Sequence, residues 1–133
     1  MPLPVPVQDD PDTQGFFAAA ANGTLALCSC GSCGAVLHLP RPYCSSCGSS
    51  DTEWQAVSPT GTLYSWTTVE HQVARAFDVP YTIILVELDD APGVRLLGHL
   101  EGRPSLQAGQ RFRARFDDRR DGVVVPQWEA VEP

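Results

Sequence analysis

The chain has 133 residues, a formal net charge of −7 and an apolar content of 43%. That composition suits one modest globular domain, or a small metal module joined to a compact barrel. The negative charge argues against general nucleic-acid binding, because phosphate contacts demand a basic surface. No stretch approaches the roughly 20 apolar residues that a membrane-spanning helix needs, so no membrane association is expected.

A short helix is predicted near the N-terminus. The first ten residues hold several prolines and predict a flexible lead, and Asp10 or Asp12 can cap a helix that ends at about Ala21. Phe16 and Phe17 stand side by side in this helix. Two adjacent phenylalanines are too much apolar surface to leave in water. They pack either on the body of this chain or on a partner subunit, and both alternatives stay open.

Four cysteines form two identical knuckles, in which two residues separate each pair and a glycine follows it: Cys30, Cys33, Cys44 and Cys47. The two-residue gap lets both thiolates of a knuckle reach one metal ion, and the glycine permits the left-handed backbone that turns amides toward the sulfurs. Two such knuckles supply a closed tetrahedral zinc site with no open position for water or substrate. We therefore expect one structural Zn²⁺ per chain.

Disulfides are the alternative for these cysteines. Residues 1–7 lack the basic start and the apolar core of a secretory signal. We therefore expect a cytoplasmic protein, in which thiols stay reduced and paired CxxC motifs bind metal. A redox role is less favoured, because two such motifs close together bind metal more readily than they cycle. Cys28 has no knuckle partner and is interpreted as a strand cysteine.

The rest of the chain predicts short strands, at residues 24–28, 35–39, 52–58, 62–71, 81–88, 95–101, 111–116, 123–125 and 128–131. Residues 81–88 are almost continuously apolar, which predicts a central strand covered on both faces. Residues 111–116 alternate strictly, so Phe112, Ala114 and Phe116 face one way and three arginines face the other.

These patterns predict a mainly β protein with an N-terminal helix, a four-cysteine zinc ribbon and a small OB-type β-barrel. The predicted segments are 1–23 for the lead and helix, 24–50 for the ribbon and 51–133 for the barrel. The ribbon is too small to bury its own core, so metal binding supplies its folding energy. The three tryptophans occupy strand positions and are expected in the core: Trp54, Trp66 and Trp128.

No self-contained active site is predicted. The histidines have no companion at metal-ligand or triad spacing: His38, His71 and His99. Adjacent carboxylates such as Asp89 and Asp90 point to opposite faces of a strand, so they are expected as solvated turn residues rather than as an acid–base pair. The sequence has no Gly-rich phosphate loop and no GxSxG elbow.

Two further features are candidates for contact with a ligand or a partner. Arg111, Arg113 and Arg115 form an arginine strip, which is either a solvated barrel face or a contact for an anion. Phe77 lies in a polar connection shortly before Tyr81. An aromatic side chain in such a loop can be an interface anchor or a lid over the barrel end.

The order of these parts resembles the family called domain of unknown function 35. The resemblance covers about residues 15–131 and is carried by both knuckles and by residues 23–27, 39–42, 61–67, 80–81, 86–89 and 98–100. Two features depart from the family pattern. Leu39 stands where the family more usually has the first of two prolines before Arg41, and Cys28 is extra. Neither departure disturbs the metal site.

The resemblance implies a noncatalytic subunit that accompanies acyl-CoA enzymes of the thiolase superfamily, such as thiolases or the lipid-transfer-protein-type aldolases of steroid side-chain breakdown. Some members accompany enoyl-CoA hydratases instead. The large partner would carry the chemistry, while the small subunit would scaffold a hetero-oligomer and shape its coenzyme A entrance. On this view the candidate interface or CoA-proximal residues are Phe16, Phe17, Phe77, Tyr81, Arg111, Arg113 and Arg115.

Two other hypotheses compete with this one. OB barrels and zinc ribbons both bind single-stranded nucleic acid, which needs a positive groove with exposed aromatics. The isoelectric point of 4.7 opposes that role, whereas the arginine strip favours it. An enzyme acting alone on acyl-CoA is the weakest hypothesis, because no nucleophile–base pair is recognisable in the sequence.

Overall fold

The computed structural model describes residues 2–131, so the first residue of segment 1–23 and the last two of segment 51–133 lie outside the described residues. The described chain is mainly β, as predicted. Its elements are α1 (Gln14–Ala21), β1 (Leu25–Cys30), β2 (Thr52–Val57), β3 (Thr60–Val69), β4 (Tyr81–Leu88), β5 (Arg95–Glu101), β6 (Arg111–Asp118) and β7 (Val124–Ala130).

The last five strands form one antiparallel sheet in the order β5-β4-β3-β6-β7. β3 lies at its centre and pairs with β4 along its length, but with β6 only from Thr60 to Thr62. The outer strands meet where the backbone N–H of His99 donates to Oε1 of Gln127 at 3.0 Å. The sheet is therefore curled into a small barrel, which confirms the predicted OB-type architecture.

β4 alternates between buried and half-buried residues. Thr82, Ile84, Val86 and Leu88 are at most 2% exposed and fill the barrel interior. The side chains between them lie on the outside of the barrel and are half-buried. The prediction that both faces are covered is therefore wrong for the outer face, because a curled sheet encloses only one side of each strand.

The barrel core is built around Trp128 and Phe112, which are 1% and 0% exposed. Phe112 projects inward from β6 while its neighbouring arginines project outward, as the period of two predicts. Gly98 lies directly beside the indole, since a Cβ at this position would approach Cδ1 of Trp128 to 2.7 Å. The glycine therefore leaves room for the largest side chain of the core.

The other two tryptophans lie outside that core. Trp66 is 40% exposed, so the prediction that it belongs to the core is wrong. The reason is that β6 pairs only with the first residues of β3, which leaves one side of the later part of β3 open. Trp54 is half-buried and packs against the cluster that contains the knuckle cysteines.

β1 and β2 form a separate two-stranded antiparallel sheet, with Leu25 opposite Val57 and Cys30 opposite Thr52. β1 is buried along its whole length and joins two cores. Its first half contributes Leu25 and Leu27 to the barrel core, and its second half contributes Cys28 and Cys30 to the ribbon core. This shared strand fixes the metal module against the barrel.

The N-terminal helix begins later than the sequence predicts. The carboxylate of Asp10 accepts the N–H of Asp12 at 2.9 Å in a local turn. The carbonyl of Asp10, rather than its side chain, accepts the N–H groups of Thr13 and Gln14. The aspartates therefore form a turn before the helix and do not cap it, and α1 begins at Gln14.

The strand predicted at residues 35–39 is reduced to one bridge between Val36 and Ser29. The N–H of Leu37 still donates to the carbonyl of Cys28 at 2.8 Å. Pairing then stops before Pro40, which has no N–H to donate and restricts the residue that precedes it. Within residues 2–131, no helix is long and apolar enough to cross a membrane.

Candidate metal centre and barrel-end cavity

The four knuckle cysteines converge at one end of the ribbon. β1 ends at Cys30, and the turn after it returns Cys33 to the same place; the second knuckle repeats this arrangement with Cys44 and Cys47. The four Sγ atoms all lie within 4.8 Å of one another. The Sγ atoms of Cys30 and Cys47 are 3.6 Å apart, as are those of Cys33 and Cys44. Such a set of sulfurs can hold a metal ion.

The two knuckles have the same backbone geometry. The N–H of Gly34 donates to the carbonyl of Cys30 and the N–H of Gly48 to that of Cys44, both at 2.9 Å. Gly34 and Gly48 have φ angles of 78° and 79°. That left-handed conformation favours glycine, which explains the residue that follows each knuckle.

Backbone amides surround the sulfur of Cys44. The N–H of Ser46 donates to Sγ at 3.3 Å and the N–H of Cys47 at 3.5 Å. The amide of Cys47, opposed by burial and aided by the amide of Ser46, lowers the pKa of the Cys44 thiol from 9.0 to about 6. The first knuckle has the same pattern, because the amides of Ser32 and Cys33 donate to the sulfur of Cys30, each at 3.4 Å.

The sulfur of Cys33 has the opposite tendency. The amide of Ala35 lowers its pKa, but the side chains of Cys44 and Cys30 outweigh that amide and raise the pKa of the Cys33 thiol to about 12. One thiol of the cluster therefore ionises readily while a neighbour retains its proton. A divalent cation suits such a set, because it can displace the remaining protons and balance the thiolates.

Cys28 lies near the cluster without joining it. Its side chain is 5% exposed and packs in the ribbon core, where Leu37 and Cys44 are also buried. The converging group found among residues 2–131 consists of the four knuckle cysteines and does not include Cys28. Cys28 lies in β1, in agreement with its interpretation as a strand cysteine.

Asp89 and Asp90 are exposed in the turn after β4, as expected from the sequence, and hydrogen bonds also anchor both carboxylates. The guanidinium of Arg111 donates to both oxygens of Asp89, at 2.8 and 2.6 Å, and the hydroxyl of Thr60 donates at 2.5 Å. Arg111, then Thr60, lower the pKa of the Asp89 carboxyl from 3.8 to about 2. Asp90 accepts the backbone N–H of Ser58 at 2.7 Å. The pair fixes the turn after β4 and does not form an acid–base site.

Every member of the arginine strip has a carboxylate partner within the chain. The partner of Arg111 is Asp89; Arg113 contacts Glu129 at 2.8 Å and Arg115 contacts Asp117 at 2.6 Å. Two of these partners, Asp89 and Glu129, lie outside β6. The strip is therefore neutralised locally, which favours the interpretation as a solvated barrel face.

A cavity of about 740 Å³ opens at one end of the barrel, and Phe77 and His99 line one side of it. The rings of Phe77 and His99 have centroids 5.4 Å apart, and the ring of Tyr81 lies 4.9 Å from that of His99. Nε2 of His99 is buried and has no hydrogen-bond partner among the described residues. The sequence singled out Phe77 and Tyr81, whereas it offered His99 only as a histidine with no companion at metal-ligand or triad spacing.

The lining of the cavity also includes charged side chains, among them Arg115, Asp117 and Arg119. Asp117 is held at both oxygens by Arg115, at 2.6 and 3.0 Å, while Arg119 approaches it only to 3.7 Å. The N-terminal lead reaches the same cavity, because the carbonyl of Leu3 accepts a hydrogen bond from Arg120 at 2.8 Å. These residues are 117 positions apart, so no local pattern could predict the contact.

The two phenylalanines of α1 are both half-buried. Phe16 packs against the barrel core, and its ring meets that of Phe17 edge-on with centroids 5.2 Å apart. Phe16 therefore packs on the body of this chain. An added interface role for Phe17 stays a prediction.

The chain matches known protein families over most of its length. A family model described as the rubredoxin-like zinc ribbon domain of ChsH2 matches residues 17–53, and one described as the C-terminal OB-fold domain of ChsH2 matches residues 54–117. A curated protein from Thermomonospora curvata, named "Probable enoyl-CoA hydratase alpha subunit", is 36% identical over 91 residues. That match covers 68% of this chain but only 28% of the relative.

Solved structures show the same architecture. The chain is similar to one in an Ltp2-ChsH2(DUF35) aldolase, with 27% identity and a TM-score of 0.83 over 94% of this chain and 98% of that one. A DUF35-family protein of unknown function from Sulfolobus solfataricus shares the fold, with 18% identity and a TM-score of 0.55 over 86% of this chain and 84% of that one. The chain belongs to the DUF35 family of ChsH2-type zinc-ribbon/OB-fold proteins.

Proposed function

We propose that this chain is a noncatalytic accessory subunit that pairs with a thiolase-superfamily acyl-CoA enzyme, and that its four cysteines hold one structural zinc ion. The observation that carries the proposal is the likeness to the Ltp2-ChsH2(DUF35) aldolase, which extends over 94% of this chain. In this proposal the partner performs the aldol cleavage or thiolysis of an acyl-CoA, as in removal of a steroid side chain. The complex is a cytoplasmic hetero-oligomer.

The sulfur geometry supports zinc. Four sulfurs at a Zn–S distance of about 2.3 Å in a tetrahedron lie about 3.8 Å from one another. The two sulfur pairs in the ribbon are separated by 3.6 Å, already close to that spacing. A site with four protein ligands is closed, so the metal would hold the ribbon together and take no part in chemistry. We also propose that the ribbon begins at residue 24 and the barrel at residue 51.

The barrel-end cavity is the place where this chain would contribute to a coenzyme A entrance. Phe77 offers an aromatic wall on which a planar group can stack. Arg119 offers a guanidinium whose internal contact, at 3.7 Å, is longer than a hydrogen bond. An anionic phosphate can therefore recruit Arg119 without breaking a short ion pair.

The cavity assignment is tested in the assembled complex. We expect Arg119→Gln to raise the KM for acyl-CoA severalfold and to leave kcat nearly unchanged. Arg113→Gln is the matched control, because Arg113 is paired with Glu129 and does not line the cavity. Equal KM values for the two variants would contradict the proposal that this chain contributes to the coenzyme A site.

An enoyl-CoA hydratase partner is the second candidate, because the Thermomonospora curvata relative carries that name. The two candidates predict different products from the same complex: hydration adds water to an enoyl-CoA, whereas aldol cleavage or thiolysis breaks a carbon–carbon bond. A single-stranded nucleic-acid binder loses support, because the arginine strip is already paired with carboxylates.

The pairing is tested by purifying the tagged chain from its native organism and identifying bound proteins by mass spectrometry, with the tag alone as control. The proposal predicts a thiolase-like protein in fixed ratio to the bait. Recovery of a hydratase-like protein would favour the second candidate. Recovery of nucleic acid alone, or of no protein in fixed ratio, would refute both.

A further inference from the structure

The acidic residues are distributed unevenly along the chain. Residues 13–50, which hold α1 and the ribbon, contain no aspartate or glutamate and a single basic residue, Arg41. All 16 acidic residues and the other eight arginines lie outside that segment. The rest of the chain therefore carries an excess of eight negative charges, whereas residues 13–50 carry almost no charge apart from the metal centre. Two of the acidic residues outside this segment, Asp51 and Glu53, lie next to it because β2 pairs with β1.

The loop between the two knuckles exposes apolar side chains and lacks acidic residues. Leu39 is 72% exposed, Tyr43 is 57% exposed and Val36 is 44% exposed. Arg41 lies between them and makes no ion pair among the described residues. We name these four residues the ribbon tip. Tyrosine and arginine are among the residues that most often dominate binding energy at protein interfaces, and acidic residues are depleted there.

The ribbon tip is held in place before any partner arrives. Leu37 at one end of the loop is 4% exposed and Cys44 at the other end is 1% exposed, and both are buried in the same ribbon core. The N–H of Cys44 also donates to the carbonyl of Ser49 at 2.7 Å. Pro40 and Pro42 restrict the backbone between the anchors. A preorganised loop loses little conformational entropy on binding, so its exposed groups can contribute to affinity.

We infer that the ribbon tip is the surface on which this chain docks its large acyl-CoA enzyme subunit, in an apolar groove that presents a carboxylate to Arg41. The inference rests on the proposed function and adds the site of contact. Charge selects this occupant over a second copy of the chain, because tip-to-tip pairing would bring two Arg41 side chains and two strongly negative molecules together.

The partner for the test is the thiolase-like protein that co-purifies with the tagged chain, identified by mass spectrometry and then purified separately. Its Kd for the wild-type chain is compared with that for Leu39→Ser and Arg41→Glu. Leu97→Ser and Arg75→Glu are matched controls on the barrel side: Leu97 is 67% exposed, close to Leu39, and Arg75 is exposed like Arg41. Bound zinc and the far-UV circular dichroism of each variant report whether the ribbon remains folded.

We expect each tip substitution to weaken binding about tenfold or more, and each control to change Kd by less than about twofold. Equal effects of tip and control variants, or no effect of either, would overturn the docking surface while leaving the accessory role intact. A wild-type chain that binds no such protein would overturn the proposed function itself. A concentration-dependent dimer of the isolated chain that Leu39→Ser abolishes would assign the tip to a second copy and overturn the inference.

Discussion

The sharpest prediction concerns the metal centre, because a second buried cysteine of the same chain serves as a matched control. Cys44 and Cys28 are both buried cysteines of the ribbon core, with exposures of 1% and 5%. The sulfur of Cys44 belongs to the converging set, whereas that of Cys28 does not. Cys44→Ser and Cys28→Ser therefore make the same chemical change in the same core, and only the first removes a ligand.

The expected magnitudes differ widely. Structural zinc contributes about 10–16 kcal/mol of apparent binding free energy in zinc-finger peptides, and this energy is also their folding energy. Cys44→Ser removes one of four sulfurs and the acceptor of two backbone N–H groups, so we expect loss of nearly all bound zinc and collapse of the ribbon. Cys28→Ser buries a hydroxyl at a cost of about 1–3 kcal/mol and should keep one zinc per chain.

The assay measures zinc per chain by mass spectrometry of the metal after gel filtration, and the free energy of unfolding by urea titration. Chelation of the wild type at neutral pH should reproduce the unfolding profile of Cys44→Ser. A wild-type chain that is well folded without metal would refute the reasoning. Equal zinc loss in the two variants would show that Cys28 is a ligand.

Three further predictions concern the barrel. The pKa of the Asp89 carboxyl is lowered from 3.8 to about 2, so its ionised form stabilises the fold above about pH 4 and that stabilisation is lost as the pH falls toward 2. In Asp89→Asn we therefore expect the free energy of unfolding to fall less than in the wild type between about pH 4 and pH 2. Identical dependence on pH in urea titrations of the variant and the wild type would contradict this expectation. Trp128→Ala should lower the free energy of unfolding by about 3–5 kcal/mol, because the indole is 1% exposed, and a smaller loss in a urea titration would contradict its central place. Gly98→Ala should lower the free energy of unfolding by about 1–3 kcal/mol in the wild type, because its Cβ would lie 2.7 Å from the indole of Trp128. The same substitution should have little effect in the Trp128→Ala background, and additive losses of stability in the double variant would contradict that contact.

Features set by neighbouring residues were predictable from the sequence. The convergence of the knuckles follows from the CxxC spacing and the glycine after it, since two close ligands on one turn can reach the same ion. The inward position of Phe112 follows from the strict alternation in β6. The barrel follows from several short strands with no helix between them. In each case the pattern that supports the prediction lies within short segments of the sequence.

Features set by distant residues were not predictable. The ion pair between Asp89 and Arg111 was not predicted, because the two residues are 22 positions apart. The contact between Leu3 and Arg120 places the N-terminal lead at the barrel cavity and has no local signature. Trp66 was assigned to the core because its strand is rich in β-branched and aromatic residues, but its burial depends on how far β6 extends along β3. Such contacts and burial depend on the register and length of strand pairing, which connect residues far apart in the sequence.

We propose that this chain supports the chemistry of a partner and performs none alone. The direct test is to reconstitute the purified chain with the thiolase-like protein that co-purifies with it and to assay acyl-CoA cleavage by the chain, by the partner and by the mixture. We predict no turnover by the chain at any concentration, and activity of the partner that rises with added chain until a fixed ratio is reached. Turnover by the chain alone, or partner activity that is indifferent to the chain, would contradict the account.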